Sequence, residues 1–432
     1  MVSTNVSETP VYGLRFSSVV PAQVTGDLVH ELTNMDLAMK LHYLRGVYFF
    51  KSNAVQGLTT HNFKEPMFKW LELYYQISGR IRRSETGRPF VKCNDGGVRI
   101  IEAKCNVSIE EWLEMEDESD LNKSLVSGQV LGFDLAYSPL VLIQFTSFKC
   151  GGISVGLSWA HVLGDAFSAT KFINLWSQIL AGVQPPKSLN LSAQPTTEES
   201  KILVTSPLSL KQVKHAGDHW KFTNTCKMRS FTFQITAKQL NNLHSSKQIP
   251  TFEALSSVIW QSVAKIREGS EPRMVTVVKN GSGSGENWVL SNNQIVSVVR
   301  ADFSIVEADP SKLAELINKE AVDEKIQIEE IVEKKERVSD VILYGGNLTF
   351  VDLQDVELYG LKIQGYKPVF ANYTIDSIGD EGVVIVLPGQ EEAEEKGARG
   401  KTVTVIVPEN EVSALKCELR KNGAMPEKII YN

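Results

Sequence analysis

"SWAHVLGDAFSA", residues 158–169, sets His161 and Asp165 with three residues between them, where an apolar β-like run gives way to a helix-like one. Upstream, "SPLVLIQFTSF" (138–148) and "ISVGLSW" (153–159) read as two strands. The link Lys149-Cys150-Gly151-Gly152 supplies the positive φ that a tight hairpin needs. In the second strand Ile153, Val155, Leu157 and Trp159 share one face, and Ser154, Gly156 and Ser158 share the other. His161 then falls just past the strand end, a position expected to be exposed and easily aimed. Downstream, Phe167, Phe172, Leu175, Trp176 and Ile179 recur at helical spacing from Ala166 to about Leu180. A hairpin feeding a helix that packs back on the sheet makes this an α/β chain.

The pattern extends in both directions. "TNMDLAMKLHYLRGVYFF" (33–50) has a cap-competent Thr33 or Asn34 ahead of Leu37, Leu41, Leu44 and Tyr48, which predicts an amphipathic helix. A second helix fits "FKEPMFKWLELYYQIS" (63–78), ended by Gly79, and residues 79–103 read as strands joined by Gly-containing turns. The Pro-, Ser-, Thr- and Lys-rich stretch from about 183 to 222 lacks periodicity and reads as a crossover. Beyond it, "RSFTFQITAKQLNNL" (229–243) predicts a strand and a helix, and "TFEALSSVIWQSVAKIR" (251–267) a buried helix. "TVTVIVP" (402–408) predicts a strand and "ENEVSALKCELRK" (409–421) a short helix. "GQEEAEEKGARGK" (389–401) reads as a solvated loop. The expected domains are 1–182, a linker over 183–222, and 223–432.

At 432 residues the chain exceeds the size at which single cores stop growing, in keeping with two domains. With 42% hydrophobic residues, 22% charged residues and a net charge of −6, it has no electrostatic case for nucleic acid. Its start lacks a cationic segment followed by an apolar one, so the expectation is a cytoplasmic protein. No run of about 18 apolar residues occurs to span a membrane. Five cysteines, far apart and without C-x-x-C spacing, argue against a disulfide framework and against zinc.

Neutral imidazole accepts protons near physiological pH, so His161 is the candidate general base. His30, His42, His61, His215, His219 and His244 have no acidic or cysteine partner at metal-ligand spacing and read as structural. His215-x-x-x-His219 has the spacing of a metal pair but lacks the glutamate of a zincin, so no metal is expected. "NGSGSGEN" (280–287) matches neither G-x-G-x-x-G nor a P-loop and reads as a connector. "GLSWA" lacks the second glycine of a nucleophile elbow.

Taken together, the segments resemble the BAHD family of plant acyl-CoA-dependent acyltransferases over nearly the full length. "ELTNMDLAM" looks like the family's N-terminal L-S-x-x-D-L segment, "YYQISGRI" like Y-Y-P-L-A-G-R-L, and "CNDGGVRIIEA" like C-x-x-x-G-V-x-F-V-E-A. Residues 139–176 follow the stretch carrying H-x-x-x-D-G, and "TFEALSSVIW" follows a core helix. The resemblance implies two chloramphenicol-acetyltransferase-like domains of mixed sheets and helices, with an interface tunnel and His161 reachable from both mouths. It implies that His161 deprotonates a hydroxyl or amine acceptor that attacks an acyl-CoA thioester, while Asp165 orients the local turn. Acyl-CoA is then substrate or ligand, and no cofactor is required.

Three positions depart from the family pattern. Ala166 replaces the glycine after the aspartate, which would restrict the turn. The second signature, D-F-G-W-G-K-P, becomes "KIQGYKP", with Lys362 in place of its acid and Lys367 and Pro368 retained. The D-x-R-x-R strand becomes "VKNGSGSG", leaving Asp165 without an arginine counter-ion. With "GGNLTFVDLQDVELYGLKI" and "NYTIDSIGDEGVVIV", these departures most resemble one branch, the eceriferum and glossy wax-synthesis proteins. That likeness implies an accessory role in very-long-chain fatty-acid elongation for cuticular wax. The partner it implies is a β-ketoacyl-CoA synthase, at the cytosolic face of the endoplasmic reticulum. The alternative is an acyl-CoA-dependent O- or N-acyltransferase with His161 as general base.

Overall fold

The computed structural model describes residues 10–115, 123–128, 134–185, 206–243, 249–281, 289–335, 339–391 and 399–426. His244, residues 186–205 of the crossover, 392–398 of the acidic loop and most of the glycine-rich stretch at 280–287 lie outside them. Two mixed sheets form the body. The first has six strands, ordered Val11–Val19, Val98–Cys105, Val141–Ser147, Ile153–Ala160, Tyr43–Phe50 and Phe370–Asp376. The second has seven, ordered Met228–Ile235, Arg399–Pro408, Val383–Glu391, Leu348–Asp352, Met274–Asn280, Gln294–Arg300 and Val322–Asp323.

The hairpin and helix around His161 form as the periodicity predicts, with strands Val141–Ser147 and Ile153–Ala160 paired antiparallel and a helix over Ala166–Leu180. Gly151 supplies the positive φ of the turn, at 82°. Trp70, on the helix Thr60–Leu73, stacks on Phe172 with centroids 3.7 Å apart, and Trp159 on the sheet lies 5.3 Å from the same ring. These aromatic contacts lock both helices onto one face of the first sheet. The second sheet is covered by helices Thr251–Ile266, Pro310–Lys319 and Val412–Lys421, whose Leu255, Ile259, Leu313 and Leu415 share a core with Phe233 and Val405.

Residues 33–50 correct the sequence reading. The helix covers only Asn34–Ala38, closed at its start by a capping box in which Thr33 and Asp36 exchange side-chain-to-backbone hydrogen bonds of 2.9 and 3.1 Å. Tyr43–Phe50 is a central strand, buried at every residue. Tyr48 and Phe50 enter the helix-covered core, whereas Val47 and Phe49 pack on the opposite face beside Trp112 and Phe148. A run apolar on both faces satisfies helical and strand spacing alike, so burial on two sides decides for the strand.

The crossover is not wholly irregular. Lys211–Lys214 pairs antiparallel with Ser339–Ile342. The acidic loop is likewise narrower than read, because strands run to Glu391 and resume at Arg399. The last strand of the first sheet, Phe370–Asp376, comes from beyond the crossover and pairs antiparallel with Tyr43–Phe50. The two sequence halves therefore share a sheet, and His161 sits where they meet.

Candidate functional site

His161 opens a single 3-10 turn, His161–Leu163, at the end of strand Ile153–Ala160. Gly164 then takes φ 146°, and a Cβ there would lie 2.8 Å from the Ser168 side chain and 3.0 Å from Ser291 N. Only glycine fits this turn, which delivers Asp165 to the N-cap of the following helix. Ala166 is the first residue of that helix and has no positive φ, so the alanine does not restrict the turn as expected. Its effect is steric, since it contributes to the wall beside His161.

Contrary to the sequence reading, His161 is not exposed, with only 1% of its surface accessible. The cavity beside it measures about 20 Å³ and is walled by Leu44, Ala166, Phe167, Val278, Tyr344 and Leu353. That is room for about one water. The space directly beside the imidazole is therefore narrow, in contrast to the open tunnel expected there.

Burial pushes the His161 pKa down to about 4, so the ring is neutral at pH 7. Its Nε2 shares a hydrogen bond of 3.1 Å with the Tyr344 hydroxyl. Burial pushes the Tyr344 hydroxyl well above its ordinary range, so it stays protonated. The Asn292 side chain and the backbone of His161 itself favour the protonated imidazole, against the larger effect of burial. The backbone of His161 is held as well: its carbonyl accepts from Asn292 Nδ2 at 2.8 Å and its N–H donates to His42 O at 3.1 Å. Asn292 Nδ2 also donates to Asp36, tying the first helix to this turn.

Asp165 does not contact the imidazole. Its carboxylate accepts from Ser168 N at 3.0 Å and from Asn293 N at 3.2 Å, capping the helix and clasping a segment of the second half. Burial raises the Asp165 pKa, and those N–H donors oppose the rise. Lys362 is exposed on a surface turn. Lys279, on the strand that departs from D-x-R-x-R, pairs instead with Glu253 at 2.5 Å.

Sequence reasoning missed Tyr344, His42 and Asn292. His42 packs edge-on against the Tyr344 ring at 4.9 Å and accepts from Leu343 N through Nε2. None of the three stands at a diagnostic spacing from His161, because the sheets bring them together from residues 42, 292 and 344. His215, by contrast, pairs with Asp340 at 3.3 Å, and the described residues contain no cluster able to hold a metal ion.

A Transferase family model matches residues 13–280. Protein ECERIFERUM 26-like of Arabidopsis thaliana is 41% identical, with 96% of each chain covered. The chain belongs to the BAHD transferase family. Protein ECERIFERUM 2 of Arabidopsis thaliana is 38% identical over 95% of this chain and 98% of its own. Among solved structures, vinorine synthase has a TM-score of 0.73 at 16% identity, covering 95% of this chain and 98% of its own. Apo TRI101 of F. graminearum has a TM-score of 0.67 at 13% identity, covering 92% and 99%. The chain thus has the two-sheet BAHD architecture, while its histidine is walled in and hydrogen-bonded to a tyrosine.

Proposed function

We propose that this BAHD protein is an accessory factor for very-long-chain fatty-acid elongation in cuticular wax synthesis. On this reading it acts with a β-ketoacyl-CoA synthase at the cytosolic face of the endoplasmic reticulum and holds acyl chains without transferring them. The ECERIFERUM relatives, which are wax-synthesis proteins, support the wax-related part. The observation that carries the non-transferring part is the Tyr344 hydroxyl on His161 Nε2 inside a cavity of about 20 Å³. So narrow a space disfavours a thioester and an acceptor meeting at that nitrogen, and about 1 Å of misplacement already costs on the order of a hundredfold in rate. Among the described residues no helix is long and apolar enough to cross a membrane. In this proposal the protein reaches the membrane by docking on a membrane-bound synthase.

The test is co-expression with a β-ketoacyl-CoA synthase in yeast, reading the fatty-acid length profile beyond what the synthase makes alone. His161→Asn keeps a polar group at the position of Nδ1 and removes the basicity of the ring, and it is expected to retain most of the lengthening. General-base catalysis contributes roughly 10²–10⁴-fold, so a base in use would leave almost none. Loss of the longer products in a folded, abundant His161→Asn protein would return it to ordinary acyl transfer.

A further inference from the structure

A larger cavity, about 250 Å³, lies on the opposite face of strand Tyr43–Phe50 from His161. Successive residues of a strand point to opposite faces, and here Leu44 lines the histidine slot while Arg45 and Val47 line this cavity. Its aliphatic and aromatic walls come from both halves of the chain: Val47, Val126, Met228, Phe231 and Ile406. Polar groups in the wall are largely satisfied by one another. Asn372 Nδ2 donates to Thr232 Oγ1 at 3.1 Å, and Thr404 Oγ1 donates to Asn372 Oδ1 at 2.9 Å.

Arg45 is the exception. It is 94% buried (6% exposed), and its Nε donates to Asp376 at 2.7 Å. Nη1 donates to Ser127 O and Ser158 Oγ. Nη2 is buried and, among the described residues, has no hydrogen-bond partner. Leaving a buried donor unmade is costly, more so on a charged group, and native proteins rarely do so without a reason. We infer that this cavity binds an aliphatic acyl chain, with the carbonyl or carboxylate of its head accepting from Arg45 and the chain lying along the apolar wall. This rests on the chain-holding role proposed above and places that role on the far side of the sheet from His161. At about 10–15 Å³ per water on the measure by which the histidine slot holds about one, the cavity has room for roughly twenty, so a long chain would be held by one segment, with the rest emerging through the opening.

The experiment uses the purified full chain and palmitate carrying a diazirine along its tail, supplied as the free acid and as its CoA thioester. After photolysis the labelled peptides are mapped. Label is expected on the segments holding Val126, Met228, Phe231 or Ile406, and Ser230→Trp, which fills the cavity, is expected to lower its yield at least tenfold. Label from the acid alone assigns a carboxylate head; label from the thioester alone, or from both, assigns the acyl carbonyl. Val47→Phe, from the facing strand, serves as the second filling variant, and circular dichroism establishes that each is folded. Should neither fold, the wild-type map still decides. Label confined to peptides around Phe167 and Tyr344, scattered over the surface, or unaffected by filling in a folded variant would overturn the inference. The lengthening assay in yeast separates the two proposals: lengthening without cavity label sinks this inference alone, and cavity label without lengthening sinks the accessory role alone.

Discussion

Acidification from pH 6.5 towards 4 is expected to destabilise the fold by up to about 2.7 kcal/mol per pH unit through two histidines alone, at about 1.4 kcal/mol per proton. Burial lowers His42 to about 3, with the neighbouring His161 lowering it further, and burial lowers His161 to about 4. In the unfolded chain both titrate near 6.5. Below that pH the unfolded state takes up two protons that the folded state refuses. The stability is therefore present above pH 6.5 and is lost as pH falls towards the folded values. Urea unfolding midpoints at half-unit pH intervals measure the slope. His161→Asn and His42→Gln should each remove about half of the histidine contribution, relative to wild type. Carboxylates common to all three proteins cancel in that comparison. A pH slope identical in wild type and both variants would show that the two rings are not held neutral by burial.

Asp340→Ala is expected to cost about 3–5 kcal/mol, the range for removing one partner of a buried ion pair. Asp340 has no exposed side-chain surface and lies 2.5 Å from the ammonium of Lys40, itself 5% exposed. Its other oxygen accepts from Ala216 N at 2.6 Å and lies 3.3 Å from His215. The ammonium also sits 5.7 Å from the Trp220 ring. Removing the carboxylate strands a buried cation and an N–H together, and it releases the end of the crossover that pairs through Lys211–Lys214. Chemical denaturation at pH 7.5 gives the cost, and limited proteolysis should show new cleavage near 211–220. The double change Lys40→Met with Asp340→Leu should recover most of the loss, because the stranded charge is gone. A loss under about 1 kcal/mol for Asp340→Ala would mean that water reaches the pair, as at a surface salt bridge.

Legibility in the sequence followed the range of the interactions involved. The helix Ala166–Leu180 was readable from Ala166 to about its end because its apolar stripe is local. The hairpin before it, the buried helix Thr251–Ile266 and the strand and helix at the C-terminal end were readable for the same reason. Tyr43–Phe50 was misread because a segment apolar on both faces carries no period of its own. Its identity as a strand follows from being sandwiched between cores contributed by distant parts of the chain. The order of local motifs along the chain was enough to determine the family and its mixed α/β class, since each motif encodes a local conformation and their succession encodes the connectivity. What surrounds His161 was decided only in three dimensions. The Tyr344 hydroxyl, the Asn292 clasp and the narrow slot arise where strands far apart in sequence are brought side by side. The cavity at Arg45, walled from both halves, has the same origin: hydrogen bonding and exclusion of solvent depend on spatial neighbours, and no spacing along the chain specifies them.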